Sequence, residues 1–428
     1  MEHFITEIRI HELRHLSDIV ISLDANSRQH LVITGKNGSG KTSLLLALRK
    51  YLSAVNDGNL NNLVDSYPLQ LAAAERKLKE ARSGKDRFAA EKQLKTITDI
   101  IEKYKDGVDI SFSERENLDA LYAHGDFITA FFSADRQTNL ARGKGVENVI
   151  LNDSYRIDSE PGNLLQKYMV HLWTQQSYAK NAGDNENAER IQEWFDRFEK
   201  AMRILMDDDS ITLEYNYKEY SFRIRENGKE PFGFDELSDG YSSVIRIFSD
   251  LILRMDKNWL LGDHISEYDI EGIALIDELE THLHIELQKK ILPFLTTFFP
   301  RVQFIVTTHS PYILNSISNA KAYDLERCVE LENLSLYSSE GLAEGYFQAD
   351  DYSIELKRQL DQYQKLLEKS NLTSDERAYR ARLRQILKNI PYDLSPEARE
   401  RFEDLERERY DKSREKTDGK IETSDGFS

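Results

Sequence analysis

The sequence holds a single cysteine, Cys328, in 428 residues, so no disulfide can form within the chain. Such usage fits a reducing compartment, and Cys328 reads as a small buried hydrophobe rather than a reactive thiol. Long apolar runs are missing too. Nothing approaches the roughly 20 consecutive apolar residues that a membrane-spanning helix needs, so no membrane association is expected. The opening MEHFITEIRI is acidic and strand-like, without the pattern of a signal peptide, and a cytoplasmic location is expected. Positive charge is in deficit: 57 Lys and Arg against 75 Asp and Glu leave −18 at pH 7. That excludes a surface that grips DNA over its whole extent, while leaving room for a local basic face. What is present, 40% hydrophobic and 31% charged residues, suits two or three globular units with ample core.

Three strand-like segments open the chain: HFITEIRI, IVISL and QHLVITG. The third is apolar on both faces and runs into glycines, as a central parallel strand does. A helix is expected from about Lys41 to Val55, with Leu44, Leu45, Leu48 and Tyr51 on one side. Between Leu69 and Tyr104 a helical pattern broken at Ser83–Lys85 predicts an antiparallel hairpin. In its second half Leu94, Ile97, Ile101 and Tyr104 alternate at spacings of three and four, a coiled-coil seam. Eight basic and three acidic residues fall between Arg76 and Lys95. They form either a solvated face or a contact for nucleic acid or an acidic partner. Strands VDISFS and FITAFFSADRQ follow, then two helices (about Gly162 to Ala179 and Asn185 to Met206) and strands ITLEYNY and YSFRIREN. Farther on, the apolar strand GIALIDE, a helix from about Ile285 to Phe299 and the buried strand VQFIVTTHS complete a β-α-β unit.

The stretch GKNGSGKT, residues 35–42, matches G-x-x-x-x-G-K-[ST] between a buried strand and a helix. Gly35, Gly38 and Gly40 let the backbone curl until its amides ring phosphates. Lys41 meets the β and γ oxygens as a point charge, and the Thr42 hydroxyl ligates Mg²⁺. With Asn37, Ser39 and Ser43 these residues form a candidate nucleoside triphosphate site. Asp277 and Glu278 end the apolar strand of ALIDE. The first would hold Mg²⁺ through water, and the second would orient or deprotonate the attacking water. His309, at the end of IVTTHS, is placed to hydrogen-bond the γ-phosphate. His282 and His284 in THLH lack a complete zinc ligand set. One stretch, ELSDGYSS (residues 236–243), is harder to place. It sets a polar Ser-Asp-Gly turn at the head of an apolar-periodic helix through Val244, Ile247, Phe248, Leu251 and Met255. A helix N-terminus suits an anion, yet the phosphate loop lies some two hundred residues earlier.

Taken together, the P-loop, the Asp-Glu pair, the histidine and Leu237-Ser238-Asp239-Gly240 resemble the ATP-binding cassette superfamily, in its SMC and RecF-like branch. Asp239 departs from that family's LSGG at the third position. The resemblance implies an α/β fold: an ATPase head with a mixed sheet and P-loop core, a helical signature subdomain, a short inserted coiled-coil hairpin and a C-terminal helical segment. It also implies a homodimer sandwiching ATP, in which the Ser238 hydroxyl and Gly240 amide, with Asp239 beside them, bind the γ-phosphate held by another subunit's P-loop. LIDELETHLH resembles the LIDEPExHLHP stretch of RecF-like, OLD-like and defence-associated ATPases, with Leu279 replacing the proline. SADRQ lies where the family places its glutamine loop, making Gln137 the matching candidate for Mg²⁺ and water contact and Arg136 the alternative. Arg14 in HELRHL stands where relatives carry an Asn-Phe-Arg motif.

OLD-like nucleases append a domain rich in metal-binding carboxylates, whereas the roughly 85 residues after Leu342 carry no acidic strand-end cluster. No nuclease motif is therefore expected in this chain. A hairpin of about 35 residues is far shorter than an SMC arm. The short insert, the LSDGY signature and the charged C-terminal helices resemble Septu-like ATPases of two-gene bacterial anti-phage defence systems. That resemblance implies slow ATP hydrolysis, a higher homo-oligomer and a separate nuclease subunit of the HNH type. Nucleic acid would be reached through that partner or through the basic hairpin. A RecF- or SMC-like DNA repair ATPase acting on DNA directly is the alternative. The expected organisation is an ATPase domain in two parts, 1–56 and 107–345, around the hairpin at 57–106. A C-terminal helical segment at 346–411 and a disordered tail at 412–428 complete it. Within that segment Thr373 with Glu376, and Ser395 with Pro396, mark helix starts. Its apolar stripe of Ile354, Leu356, Leu360, Tyr363, Leu366 and Leu367 either docks a partner or another protomer, or packs back on the ATPase core.

Overall fold

The computed structural model describes residues 2–135, 145–261, 270–331, 354–369, 371–388 and 399–409. Arg136, Gln137, Ser395, Pro396 and the 412–428 tail lie outside them. The chain forms two compact units, Met1–Tyr337 and Ser338–Ser428.

In the first unit the order runs β1 (Ile5–Leu13), β2 (Leu16–Ser22), β3 (His30–Thr34), α1 (Lys41–Asn56), α2 (Tyr67–Glu80), α3 (Gly84–Tyr104), β4 (Val108–Phe112), α4 (Leu118–His124) and β5 (Phe127–Phe132). It continues with α5 (Leu165–Ala182), α6 (Asn185–Met206), β6 (Thr212–Asn216), β7 (Ser221–Arg225), β8 (Phe232–Gly233) and α7 (Asp239–Leu261). Then come β9 (Glu271–Ile276), α8 (Ile285–Phe298), β10 (Val302–Thr307), the short α9 (Pro311–Leu314), β11 (Ala320–Asp324) and β12 (Val329–Leu331).

β3, β9 and β10 read HLVIT, EGIALI and VQFIVT, and every residue in them is buried. Unbroken runs of this kind are what parallel strands covered on both faces require. They lie in a six-stranded sheet of order β12-β11-β3-β10-β9-β5, parallel except for the edge strand β12. In register, Ile305 of β10 faces Leu31 of β3 on one side and Leu275 of β9 on the other. The Asp-Glu strand is therefore not the immediate neighbour of the P-loop strand, because the histidine strand runs between them. A second, antiparallel sheet, β2-β1-β4, shares one apolar core with α1 and the main sheet, including Ile8, Ile10, Leu44, Leu48, Tyr51, Leu275 and Ile305.

The hairpin of α2 and α3 breaks where the composition indicates. Ser83 caps α3, its hydroxyl accepting the Asp86 amide at 3.1 Å. Ile97 and Tyr104 of the expected seam are buried, while Leu94 and Ile101 are half-buried. Helices α5, α6 and α7 join through aromatic packing in which Tyr168 of α5 meets Trp194 of α6 edge-on and Phe198 of α6 meets Phe248 of α7. Arg254 of α7 is buried with Asp250 and bonded to it at 2.5 Å. It also donates to the carbonyls of Thr129 at 2.9 Å and Arg156 at 3.1 Å, which locks α7 to β5 and to the segment before α5. No helix among the described residues is long and apolar enough to cross a membrane.

The second unit holds helices at Ile354–Glu368, Ser374–Lys388 and 399–409. Thr373 and Glu376 form the expected reciprocal cap, with bonds of 2.9 and 3.3 Å. The apolar stripe has cover within this unit. Leu360 and Tyr363, with Leu356, Leu366 and Leu367 packed alongside, close on Leu383, Leu387, Phe402 and Leu405 of the same unit. Three short amphipathic helices bury one another's stripes, an outcome that helical period alone does not distinguish from docking elsewhere. Cys328 corrects the expectation of a small buried hydrophobe. It is exposed, in the turn between β11 and β12 with φ 55°, where a left-handed turn residue faces solvent rather than core.

Candidate nucleotide site

The P-loop leaves the carboxyl end of β3 and enters α1. Gly35, Gly38 and Gly40 all take positive φ, at 137°, 85° and 98°, a region that favours glycine. Space is equally decisive at Gly35, where a Cβ would stand 2.8 Å from the Ser39 hydroxyl and 3.2 Å from the Glu326 amide. Lys41 is buried and folds back on its own loop, donating to the carbonyls of Gly35 at 2.8 Å and Lys36 at 3.1 Å. Thr42 is exposed at the head of the helix, Ser43 is buried, and Lys36, Asn37 and Gly38 line the exposed rim. The Ser39 hydroxyl is buried without a hydrogen-bond partner among the described residues. A curled backbone, a positive helix end, a lysine and a hydroxyl beside it match the donors a magnesium-bound triphosphate needs.

Two strands over, β9 delivers Asp277 and Glu278. Thr307, the last residue of β10, braces both. Its hydroxyl donates to Asp277 Oδ1 at 2.6 Å and accepts the Glu278 amide at 2.8 Å. Glu278 sits in the left-handed region, φ 45°, a conformation that ordinary side chains occupy only where the surroundings impose it. The departure at Leu279 has a physical account. Its amide donates to the Thr307 carbonyl at 3.0 Å, a bond that proline could not make. His309 follows β10 by two residues. The Thr308 amide ties that loop to the Ile33 carbonyl of the P-loop strand at 3.0 Å, and the His309 amide donates to Glu280 Oε1 at 2.5 Å.

Electrostatics link these groups. Burial lowers the Lys41 ammonium below its ordinary range, and the carboxylates of Glu280, Glu278, Asp277 and Asp324 oppose that shift in decreasing order. His309 is lowered as well, first by burial and then by the Lys41 charge, against the same three carboxylates of the 277–280 stretch. The parallel strands thus gather the P-loop, Asp277, Glu278 and His309 at the carboxyl end of the sheet. Sequence reasoning missed Glu280, three residues past Asp277, although the glutamate of the LIDELE stretch was in plain view. It also missed Glu326, which pairs with Lys36 at 3.0 Å from the β11–β12 turn. No local pattern announces that contact.

The signature turn opens α7. Ser238 and Asp239 are exposed, and the Ser238 carbonyl accepts the Ser242 amide at 2.9 Å to begin the first turn of α7. Gly240 is buried, and a Cβ there would come 2.8 Å from the His282 carbonyl. Glycine is required here by close packing between α7 and the loop after β9. In that loop the His284 ring accepts the Leu287 amide at 3.2 Å as the cap of α8. Among the described residues no cluster of three or more metal-ligating side chains occurs.

A family described as "AAA domain, putative AbiEii toxin, Type IV TA system" matches residues 158–315, a span that takes in the signature, Asp277, Glu278 and His309 but not the P-loop. The "Septu protein PtuA" of Bacillus mycoides (strain KBAB4) is 34% identical over 140 residues, which is 32% of this chain and 18% of that protein. The "Retron Ec83 probable ATPase" of Escherichia coli is 35% identical over 91 residues, 21% of this chain and 16% of that one. The chain resembles ATPases of the anti-phage defence type. Each matched segment spans less than a fifth of the relative's own length. Among solved structures, one titled "Crystal structure of the SmcHead bound to the C-winged helix domain of ScpA" aligns at a TM-score of 0.40 and 12% identity, covering 79% of this chain and 100% of that chain.

Proposed function

We propose that this chain binds and hydrolyses ATP as a subunit of a bacterial anti-phage defence complex. In this reading it closes as a homodimer around ATP and regulates a separate nuclease, of the HNH type, within a larger homo-oligomer in the cytoplasm. The observation that carries the reading is the strand order β3-β10-β9, which brings the P-loop, His309 and the Asp277–Glu278 pair to the same end of the sheet. Similarity to defence ATPases over the matched segments supports the biological setting.

On binding, Lys41 exchanges the Gly35 and Lys36 carbonyls for phosphate oxygens, while the loop amides of residues 37–42 orient the triphosphate. Thr42 and Asp277 would hold Mg²⁺, with Gln137 the further candidate ligand, and the ion would neutralise charge on the phosphates. Glu278 orients or deprotonates the attacking water, and His309 hydrogen-bonds the γ-phosphate. Ser238, Asp239 and the amide of Gly240 complete the partner's site. A second reading, in which the chain contacts nucleic acid directly, draws on the exposed Arg76, Lys77, Lys79, Arg82, Lys85 and Arg87 of the hairpin.

Glu278→Gln tests the assignment. It keeps the shape of the side chain and removes the base, so ATP binding persists while turnover falls by about 10² or more. A dimer trapped with ATP then becomes visible by light scattering. Unchanged turnover would move the base to another residue.

A further inference from the structure

The loop that carries His309 is held on both sides. Thr308 is bonded to β3, and the Ser310 hydroxyl donates to Gln288 of α8 at 2.6 Å while accepting the Tyr312 amide at 3.1 Å. Between these anchors, the backbone amide of His309 is taken by Glu280 Oε1 at 2.5 Å. Glu280 belongs to the same loop as Asp277 and Glu278, so this bond joins the carboxylate loop after β9 to the histidine loop after β10. Its second oxygen, Oε2, is buried without a hydrogen-bond partner among the described residues. A buried oxygen left in that state calls for an explanation, and sites completed by a ligand or water are one.

We propose that Glu280 is the positioning residue of this site: its carboxylate holds the His309 amide and so sets where the imidazole stands relative to Lys41. The role rests on the proposed ATPase reading and adds to it a residue that acts through His309 rather than on the reacting atoms. Glu280→Gln keeps an oxygen acceptor of the same reach, whereas Glu280→Ala removes it. The role so assigned belongs to the tether rather than to the charge, so the two variants separate.

The test combines turnover, nucleotide affinity and one readout independent of activity. In Glu280→Ala, kcat falls about tenfold or more while the affinity for a fluorescent ATP analogue stays within about threefold. Glu280→Gln stays within about threefold of the unmodified protein on both counts. In a His309→Ala background, Glu280→Ala adds no more than about a twofold further loss, since both changes remove one function. The His309 backbone amide resonance shifts upfield in Glu280→Ala and holds its place in Glu280→Gln. Three results overturn the proposal: full turnover in Glu280→Ala, a Glu280→Gln loss as deep as that of Glu278→Gln, or losses that multiply in the double variant. An amide resonance that responds as expected, in a protein that neither binds nor hydrolyses ATP, would discard the ATPase reading and leave the tether standing.

Discussion

Lys41→Ala probes the nucleotide site through stability as well as activity. In the free loop Lys41 makes two bonds to backbone carbonyls, at 2.8 and 3.1 Å. Binding replaces them with bonds to anionic phosphate oxygens, which are the stronger kind. Only the difference between the two sets counts toward affinity, about 3 kcal/mol, or roughly a 10²-fold weaker Kd. With MgATP at 100 times the Kd of the unmodified protein, the ligand stabilises that protein by about 2.7 kcal/mol and the variant by about 0.4 kcal/mol. For a unit of this size roughly 2 °C accompanies each kcal/mol, so differential scanning fluorimetry should show a shift of about 5 °C against about 1 °C. Comparing each protein with and without nucleotide removes the variant's own loss of stability from the result. A variant shift within a degree of the unmodified protein's would refute the assignment of Lys41 to the phosphates.

Ser238→Arg places bulk and charge at an exposed position just before α7 while leaving the P-loop intact, so ATP binding stays within about threefold and turnover is lost. Mixing Ser238→Arg with Lys41→Ala subunits creates one wholly unmodified composite site and restores part of the activity. Full turnover by Ser238→Arg alone would reduce the turn to a helix cap. Asp256 of α7 is fully buried beside Tyr168 and Trp194, and burial pushes its carboxyl up to about 7 while those polar neighbours offset it only in part. The folded protein then keeps a proton that the unfolded chain releases above about pH 4, so this group's contribution is fully present at low pH and declines by up to about 4 kcal/mol as pH rises toward 7. Asp256→Asn should flatten that slope when urea midpoints are compared at about pH 5 and pH 8, and an unchanged slope would place the titrating group elsewhere.

Much of the site is legible in the amino-acid sequence because its determinants are local. Three glycines in six residues, followed by Lys41 and Thr42, encode a loop whose positive φ angles few other residues adopt, and all three glycines take such angles. The apolar runs of β9 and β10 mark strands buried on both faces, and each ends one or two residues before a polar group of the site. Thr373 and Glu376 announce a helix start through bonds spanning three residues.

What only the tertiary structure decided is non-local. Strand order is set by pairing between segments far apart in the chain, and β10 between β3 and β9 could not be inferred from the spacing of motifs. The stripe on the Ile354–Glu368 helix has the same period whichever surface covers it, and the cover turned out to be the neighbouring helices of its own unit. Gly240 reads as a motif residue in sequence, yet its place in the fold depends on a carbonyl 42 positions later, that of His282, approaching where a Cβ would stand. Glu280 looks like one more acid in an acidic loop. Its aim at the His309 amide exists only because β9 and β10 are hydrogen-bonded neighbours, so that the loops after them leave the sheet side by side.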